Sequence, residues 1–157
     1  QFRYLTEKLN GYITGAYIYN KMGLTEQVAT TITIATPNPV RRFRFKNLDI
    51  ECVKAYCMDY PDEILVPYLR LLDAIKDMKR IPGTTGQDIY NRVKSQYFNG
   101  YSLPELEKIV SLAKSYPPRV RKVVADILGD IRQTVLQTEM AKTILPTTRF
   151  NLDYKTA

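Results

Sequence analysis

Two carboxylates and a lysine on one short segment come nearest to a catalytic set in this sequence. Asp49, Glu51 and Lys54 could hold a divalent metal beside a basic group, as some nucleases do on a hairpin. The spacing departs from the usual Glu-x-Lys ending, and Arg44 and Lys46 lie close enough in sequence to offer salt bridges. We therefore interpret the acidic residues as partners in cross-strand ion pairs and keep a metal-dependent nuclease as an alternative.

Other catalytic sets lack their essential members. The sequence contains no histidine, which removes the commonest general base and the serine–histidine and cysteine–histidine nucleophile pairs. Cys52 and Cys57 are too few for a disulfide scaffold and cannot complete a zinc set without histidine. The Gly-Thr-Thr-Gly segment at 83–86 lacks the Lys-Ser/Thr pair of a phosphate-binding loop. We expect a protein that is not an enzyme and that needs no metal or other cofactor.

An excess of basic residues points to binding instead. The chain has 23 basic and 16 acidic residues, a net charge of +7, which favours nucleic acid or an acidic protein as partner. A solubilising surface gives the same balance. One basic cluster lies within 41–54, and another begins a predicted helix, where the helix dipole disfavours cations. The candidate contacts to a partner or to nucleic acid are Arg41, Arg42, Arg44, Lys46, Arg119, Arg121 and Lys122.

Alternating side chains predict the element that positions the first cluster. The phenylalanines at 43 and 45 alternate with basic residues, and the apolar residues at 48, 50 and 52 alternate with acidic ones. A period of two is typical of strands, so we predict a β-hairpin over about 41–54. With residues 47 and 48 as its two-residue loop, Phe45 faces Ile50 and Arg44 faces Glu51.

The segments on either side of the hairpin predict a small sheet followed by helices. Ahead of it, we expect short helices at 2–9 and 16–22 and a Thr/Ile strand at 29–36. After it, apolar residues recur at helical spacing, and Ser102 with Glu105 forms a capping box. We predict an α+β fold in which a small antiparallel sheet with the hairpin precedes a cluster of four to five helices.

The length and composition predict one main domain in the cytoplasm. We expect a single α+β domain over 1–145 and a C-terminal tail over 146–157. No apolar run is long enough to cross a membrane, and the few cysteines favour a reducing compartment. The chain begins at Gln1 without methionine, so we expect an upstream stretch.

Two stretches of the chain resemble a known protein family. The first is GYITGAYIYNKMGLTEQV at 11–28, which precedes the Thr/Ile strand and the basic hairpin. The second is YPPRVRKVVADIL at 116–128. Both are similar to the AbiEi-type antitoxins of type IV toxin–antitoxin systems, and the resemblance extends over about 8–130. Relatives tend to run Ala-Leu-Leu-Gly-Ala where this chain has Lys-Val-Val-Ala-Asp at 122–126.

The resemblance implies a non-catalytic antitoxin domain that acts in bacterial abortive infection. Such a domain counters a nucleotidyltransferase-like toxin, by contact or functionally, and assists transcriptional autoregulation. The family's winged helix binds promoter DNA, and residues 1–10 are too few to hold one, so we expect it to be missing from this chain. No catalytic residues are carried over. The alternatives are a nucleic-acid-binding domain and a domain related to metal-dependent nucleases.

Overall fold

The strands of this protein lie in the first part of the chain, and most of the helices follow them. The computed structural model describes residues 2–37, 41–57 and 62–157. It shows an α+β fold, as the sequence predicts. The chain divides into two compact units, one formed by Gln1–Ala74 with Ile81–Gly83 and the other by Ile75–Arg80 with Thr84–Ala157.

The first unit contains a four-stranded sheet in the order β1-β2-β4-β3. β1 pairs with β2 and β3 pairs with β4 in antiparallel fashion, whereas β2 and β4 run parallel. The predicted antiparallel sheet is therefore a mixed one, with two antiparallel pairs and one parallel pair. The elements are α1 (Arg3–Leu9), β1 (Tyr12–Thr14), α2 (Ala16–Lys21), β2 (Thr31–Thr36), β3 (Arg42–Phe45), β4 (Leu48–Lys54) and the greater part of α3 (Val66–Lys76).

The apolar pattern of two distant strands explains why the sheet is mixed. In the parallel pair, Ile32 lies beside Ile50 and Ile34 beside Cys52. These side chains are buried in one core cluster together with Leu5 and Leu9 of α1. Pairing β2 with β4 places two apolar rows side by side under α1, and β3 is left at the edge of the sheet. Burial of matched apolar rows therefore decides the strand order.

The hairpin itself forms where the sequence predicts it, but its loop is one residue earlier. Lys46 and Asn47 form the loop with φ angles of 48° and 64°, and Phe45 pairs with Leu48. Two-residue hairpin loops of this kind need positive φ at both central residues, which asparagine tolerates better than leucine does. The predicted register was therefore wrong, because Arg44 pairs with Asp49 and not with Glu51. Both registers leave the same side chains on each face of the hairpin, so the alternation alone cannot distinguish them.

The loop geometry yields a first prediction. Replacing Asn47 with alanine is expected to destabilise the protein by about 1 kcal/mol, because alanine adopts positive φ less readily than asparagine. Replacing Asn47 with glycine is expected to be neutral or stabilising, since glycine has no Cβ. Urea denaturation of the two variants beside the wild type measures the difference. Equal stability of the alanine and glycine variants would contradict the assigned loop.

A buried carboxylate connects β1 to α3 within the first unit. Asp73 is 3% exposed and its Oδ2 accepts hydrogen bonds from the Tyr12 hydroxyl at 2.7 Å and the Thr14 hydroxyl at 2.8 Å. One turn earlier on α3, Arg70 donates from Nε to the carbonyl of Ile13 at 2.8 Å. Three successive residues of β1 are thus bound by two side chains of α3, which fixes the strand against the helix.

Helices form the second unit. The capping box predicted from Ser102 and Glu105 is present at the start of α5. Among the described residues, five α-helices follow the hairpin, in agreement with the predicted four to five. The second unit contains the end of α3, α4 (Gly86–Gln96), a short 3-10 helix (Phe98–Gly100), α5 (Leu103–Ala113), α6 (Pro118–Asp130) and α7 (Thr134–Ala141).

The C-terminal segment packs against α4 and α6 inside the second unit. The rings of Tyr154 and Tyr90 stack with centroids 4.3 Å apart, and the Tyr154 hydroxyl donates to Asp126 at 2.7 Å. The Tyr90 hydroxyl donates to Asp130 at 2.7 Å, and the backbone amide of Ala157 also donates to Asp130. Two carboxylates of α6 therefore hold the end of the chain in place.

A second prediction concerns acid stability. Burial alone would raise the pKa of Asp130, but hydrogen bonds from Tyr90, the Ala157 amide and Lys94 outweigh it, so its pKa lies below the ordinary value of 3.8. A carboxylate with a lowered pKa stabilises the fold above pH 3.8, and that contribution is lost as the pH falls further. The urea midpoint should therefore fall less between neutral and acidic pH in Asp130→Asn than in the wild type. An identical acid dependence of the two proteins would contradict this assignment.

Candidate partner-binding surface

The β-hairpin presents charged side chains on one face and aromatic and aliphatic side chains on the other. Phe43 and Phe45 are half-buried against the core cluster under α1, while the residues between them are exposed. This is the alternation that the sequence predicts. We call the four basic residues in and beside β3 the hairpin surface, and its members are Arg41, Arg42, Arg44 and Lys46.

Two arginines of the hairpin surface pair with carboxylates across the strands. Arg42 forms an ion pair with Glu51, and Arg44 donates to Asp49 at 3.0 Å. The arginine side chains remain 78% and 65% exposed, respectively. Exposed pairs of this kind contribute at most about 1 kcal/mol to stability because water screens them. Both guanidinium groups can therefore exchange a carboxylate for an anionic group on a partner.

The other two cations of the hairpin surface lie over aromatic rings. The guanidinium carbon of Arg41 is 5.0 Å from the ring centroid of Phe43, and the Lys46 amine is 5.3 Å from that of Phe45. Neither cation has an ion pair with any residue in the part of the chain that the structure describes. Cation–π contacts on a surface hold a side chain in place and leave its charge accessible to solvent.

The structure adds residues of α1 that sequence reasoning missed. Tyr4 is 61% exposed, and its ring stacks on Phe45 with centroids 6.1 Å apart and 20° between the planes. The amine of Lys8 lies 5.7 Å from the Tyr4 centroid. Tyr4 and Lys8 are four residues apart on a helix, so their contact could have been predicted from the sequence. Their position beside the hairpin depends on a tertiary contact that no local pattern reveals.

The cations predicted at the start of α6 have partners of their own. They belong to the second unit, whereas the hairpin surface belongs to the first. Arg119 pairs with Asp153 at 3.8 Å, Arg121 donates to the Tyr116 carbonyl at 3.0 Å, and Lys122 donates to Asp126 at 3.0 Å. These oxygens offset the unfavourable interaction between a helix start and cations. The three side chains therefore stabilise the second unit and offer less charge to a partner than the hairpin surface does.

The two acidic residues of the hairpin are engaged in ion pairs. Asp49 and Glu51 each face an arginine across the hairpin, which confirms cross-strand pairing. The Lys54 amine lies 5.1 Å from the ring centroid of Tyr56. Within residues 2–37, 41–57 and 62–157, no group of three or more metal-ligating side chains is close enough to hold an ion.

Cys52 lies in the core of the same hairpin. Its side chain is buried with Ile34 and Ile50. Burial raises the pKa of the Cys52 thiol, and Arg41 beside it offsets only part of that rise. A thiol with a raised pKa is a poor nucleophile at neutral pH, so the residue serves in packing.

Comparison with known proteins found no relative in which an equivalent surface could be identified. No family model, no curated protein and no solved structure matched the chain. In the described residues, no helix is both long and apolar enough to cross a membrane. The segment 11–28 contains β1 and α2, and the segment 116–128 contains most of α6.

Proposed function

We propose that this chain is a non-catalytic antitoxin domain of a type IV toxin–antitoxin system, acting in the bacterial cytoplasm against a nucleotidyltransferase-like toxin. The observation that carries the proposal is the hairpin surface, which holds four exposed cations on one edge of a sheet. The AbiEi-like stretches at 11–28 and 116–128 support it.

The charge of the hairpin suits an anionic partner. Residues 41–54 contain five basic and two acidic side chains, which gives 5 − 2 = +3. A cluster of one sign attracts an oppositely charged surface and accelerates encounter with it. In this proposal the surface complements either acidic side chains on the toxin or the phosphates of an operator, which would allow it to serve neutralisation and autoregulation. Charged side chains on an edge strand also protect it from pairing with other strands, which is the alternative role of these residues.

A second candidate function is the binding of single-stranded nucleic acid. The exposed ring of Tyr4, stacked on Phe45 between Lys8 and Lys46, favours it. Aromatic rings beside cations are the elements with which proteins bind unpaired bases and their phosphates. In that case Tyr4→Ala should weaken binding to an oligothymidylate strongly and leave neutralisation of a toxin unchanged.

A co-expression experiment tests the antitoxin proposal. The complete gene for this protein is expressed in a bacterial host together with, and apart from, the gene immediately downstream. We expect the downstream gene to arrest growth by itself and the complete gene to relieve the arrest. A downstream gene that is harmless in every combination would overturn the proposal and leave nucleic-acid binding as the leading candidate.

A further inference from the structure

A cavity opens inside the first unit on the side of β1 that α1 and α3 border. Its volume is about 260 Å³. This is near the lower limit of small-molecule pockets, so it suits a ligand smaller than a nucleotide. The wall combines apolar side chains with charged ones, and the residues that matter here are Phe2, Ile13, Val66, Arg3, Arg70 and Glu63.

Arg70 is the fixed cation of this wall. Its Nε donates to the Ile13 carbonyl at 2.8 Å, which sets the plane of the guanidinium. Burial lowers the pKa of Arg70, and Tyr12 and Asp73 nearby offset only part of that effect. Its two Nη groups make no hydrogen bond or ion pair within the described residues. A half-buried guanidinium whose two Nη groups remain available as donors can bind an oxyanion through two parallel hydrogen bonds.

Arg3 supplies a second cation to the wall. It is exposed at the start of α1, and its side chain has no ion pair among the residues that the structure describes. Glu63 is the single carboxylate of the wall. The wall therefore has two guanidinium groups and one carboxylate, and this excess of cations favours an anionic ligand over a neutral one.

We propose that this cavity binds a small phosphomonoester, with its phosphate between Arg70 and Arg3. The organic part of the ligand lies against Phe2, Ile13 and Val66, and a ligand hydroxyl donates to Glu63. The carboxylate of Asp73 already accepts hydrogen bonds from Tyr12 and Thr14, and it holds β1 and α3 in the positions that define the cavity. The site is independent of the hairpin surface and of the antitoxin proposal.

Isothermal titration of the full chain with glycerol phosphate tests the proposal. Glycerol and malonate serve as comparison ligands, because one lacks the phosphate and the other presents two carboxylates. The variants are Arg70→Met, which keeps the apolar stem, and Arg3→Gln, which changes an exposed residue that the fold does not need. Arg149→Met removes one exposed arginine of the second unit and is the matched control for charge.

We expect the wild type and Arg149→Met to bind glycerol phosphate and not glycerol. Each site variant should weaken binding by about 10- to 100-fold, the range for losing a charged, bidentate contact. Malonate that binds as tightly as glycerol phosphate would overturn the choice of a phosphate. No binding by the wild type at millimolar ligand, or binding that survives both Arg70→Met and Arg3→Gln, would overturn the site itself.

Discussion

Replacing Asp73 with leucine is expected to lower the free energy of unfolding by about 3 kcal/mol. Leucine has the same branched arrangement of non-hydrogen atoms as aspartate, but its methyl groups leave the hydroxyls of Tyr12 and Thr14 without their acceptor. A buried hydroxyl that loses a charged acceptor costs about 1 to 3 kcal/mol, and two such groups lie here. Urea denaturation followed by circular dichroism measures the change.

Conservative variants separate the hydrogen bonds from the charge. Asp73→Asn keeps one oxygen acceptor and should lose about half as much stability as the leucine variant. Tyr12→Phe and Thr14→Val should each cost about 1 kcal/mol, and each should cost less in the Asp73→Leu background. A leucine variant as stable as the wild type would mean that desolvation of the carboxylate cancels the benefit of its hydrogen bonds.

Reversing the charge of the hairpin surface is expected to remove most of the affinity of the chain for anionic partners. The triple variant Arg42→Glu, Arg44→Glu and Lys46→Glu changes the charge of one small surface by six units. For duplex DNA, the slope of log affinity against log salt should become shallower by about three, one for each cation lost. Fluorescence anisotropy at several salt concentrations measures this slope.

A charge-swapped variant controls for the cross-strand ion pairs. Arg42→Glu and Arg44→Glu alone place acidic side chains opposite Glu51 and Asp49, where like charges repel. Adding Asp49→Arg and Glu51→Arg restores opposite charges across the strands and the original net charge. The swapped variant should recover stability and much of the salt slope. Unchanged binding by the triple variant would show that other residues contact the anion.

Local patterns predicted the elements that form the hairpin surface. The alternation over 41–54 indicated which side chains share a face, and those faces are present even though the register differs. The capping box of Ser102 and Glu105 marked the start of a helix because both hydrogen bonds lie within four residues. Such signals depend on neighbouring residues, so one sequence is enough to find them.

Contacts between distant segments could not be predicted in the same way. The parallel pairing of β2 with β4 depends on which apolar rows meet under α1, and no turn connects the two strands directly. Tyr4 reaches Phe45 only because α1 covers this part of the sheet. Likewise, no spacing rule brings Arg70 to the carbonyl of Ile13, so the cavity beside them was missed.

Colony survival in cells that express the downstream gene tests the central claim most directly. The complete gene is supplied as wild type, as the triple hairpin variant, and as a control with Lys142→Gln and Arg149→Gln, which changes two exposed cations of the second unit. The hairpin surface is proposed to carry the antitoxin activity, so the wild type and the control should restore survival, while the triple variant should not. Circular dichroism of the purified triple variant checks that it is folded. Equal rescue by all three proteins would contradict the claim, and so would rescue by none.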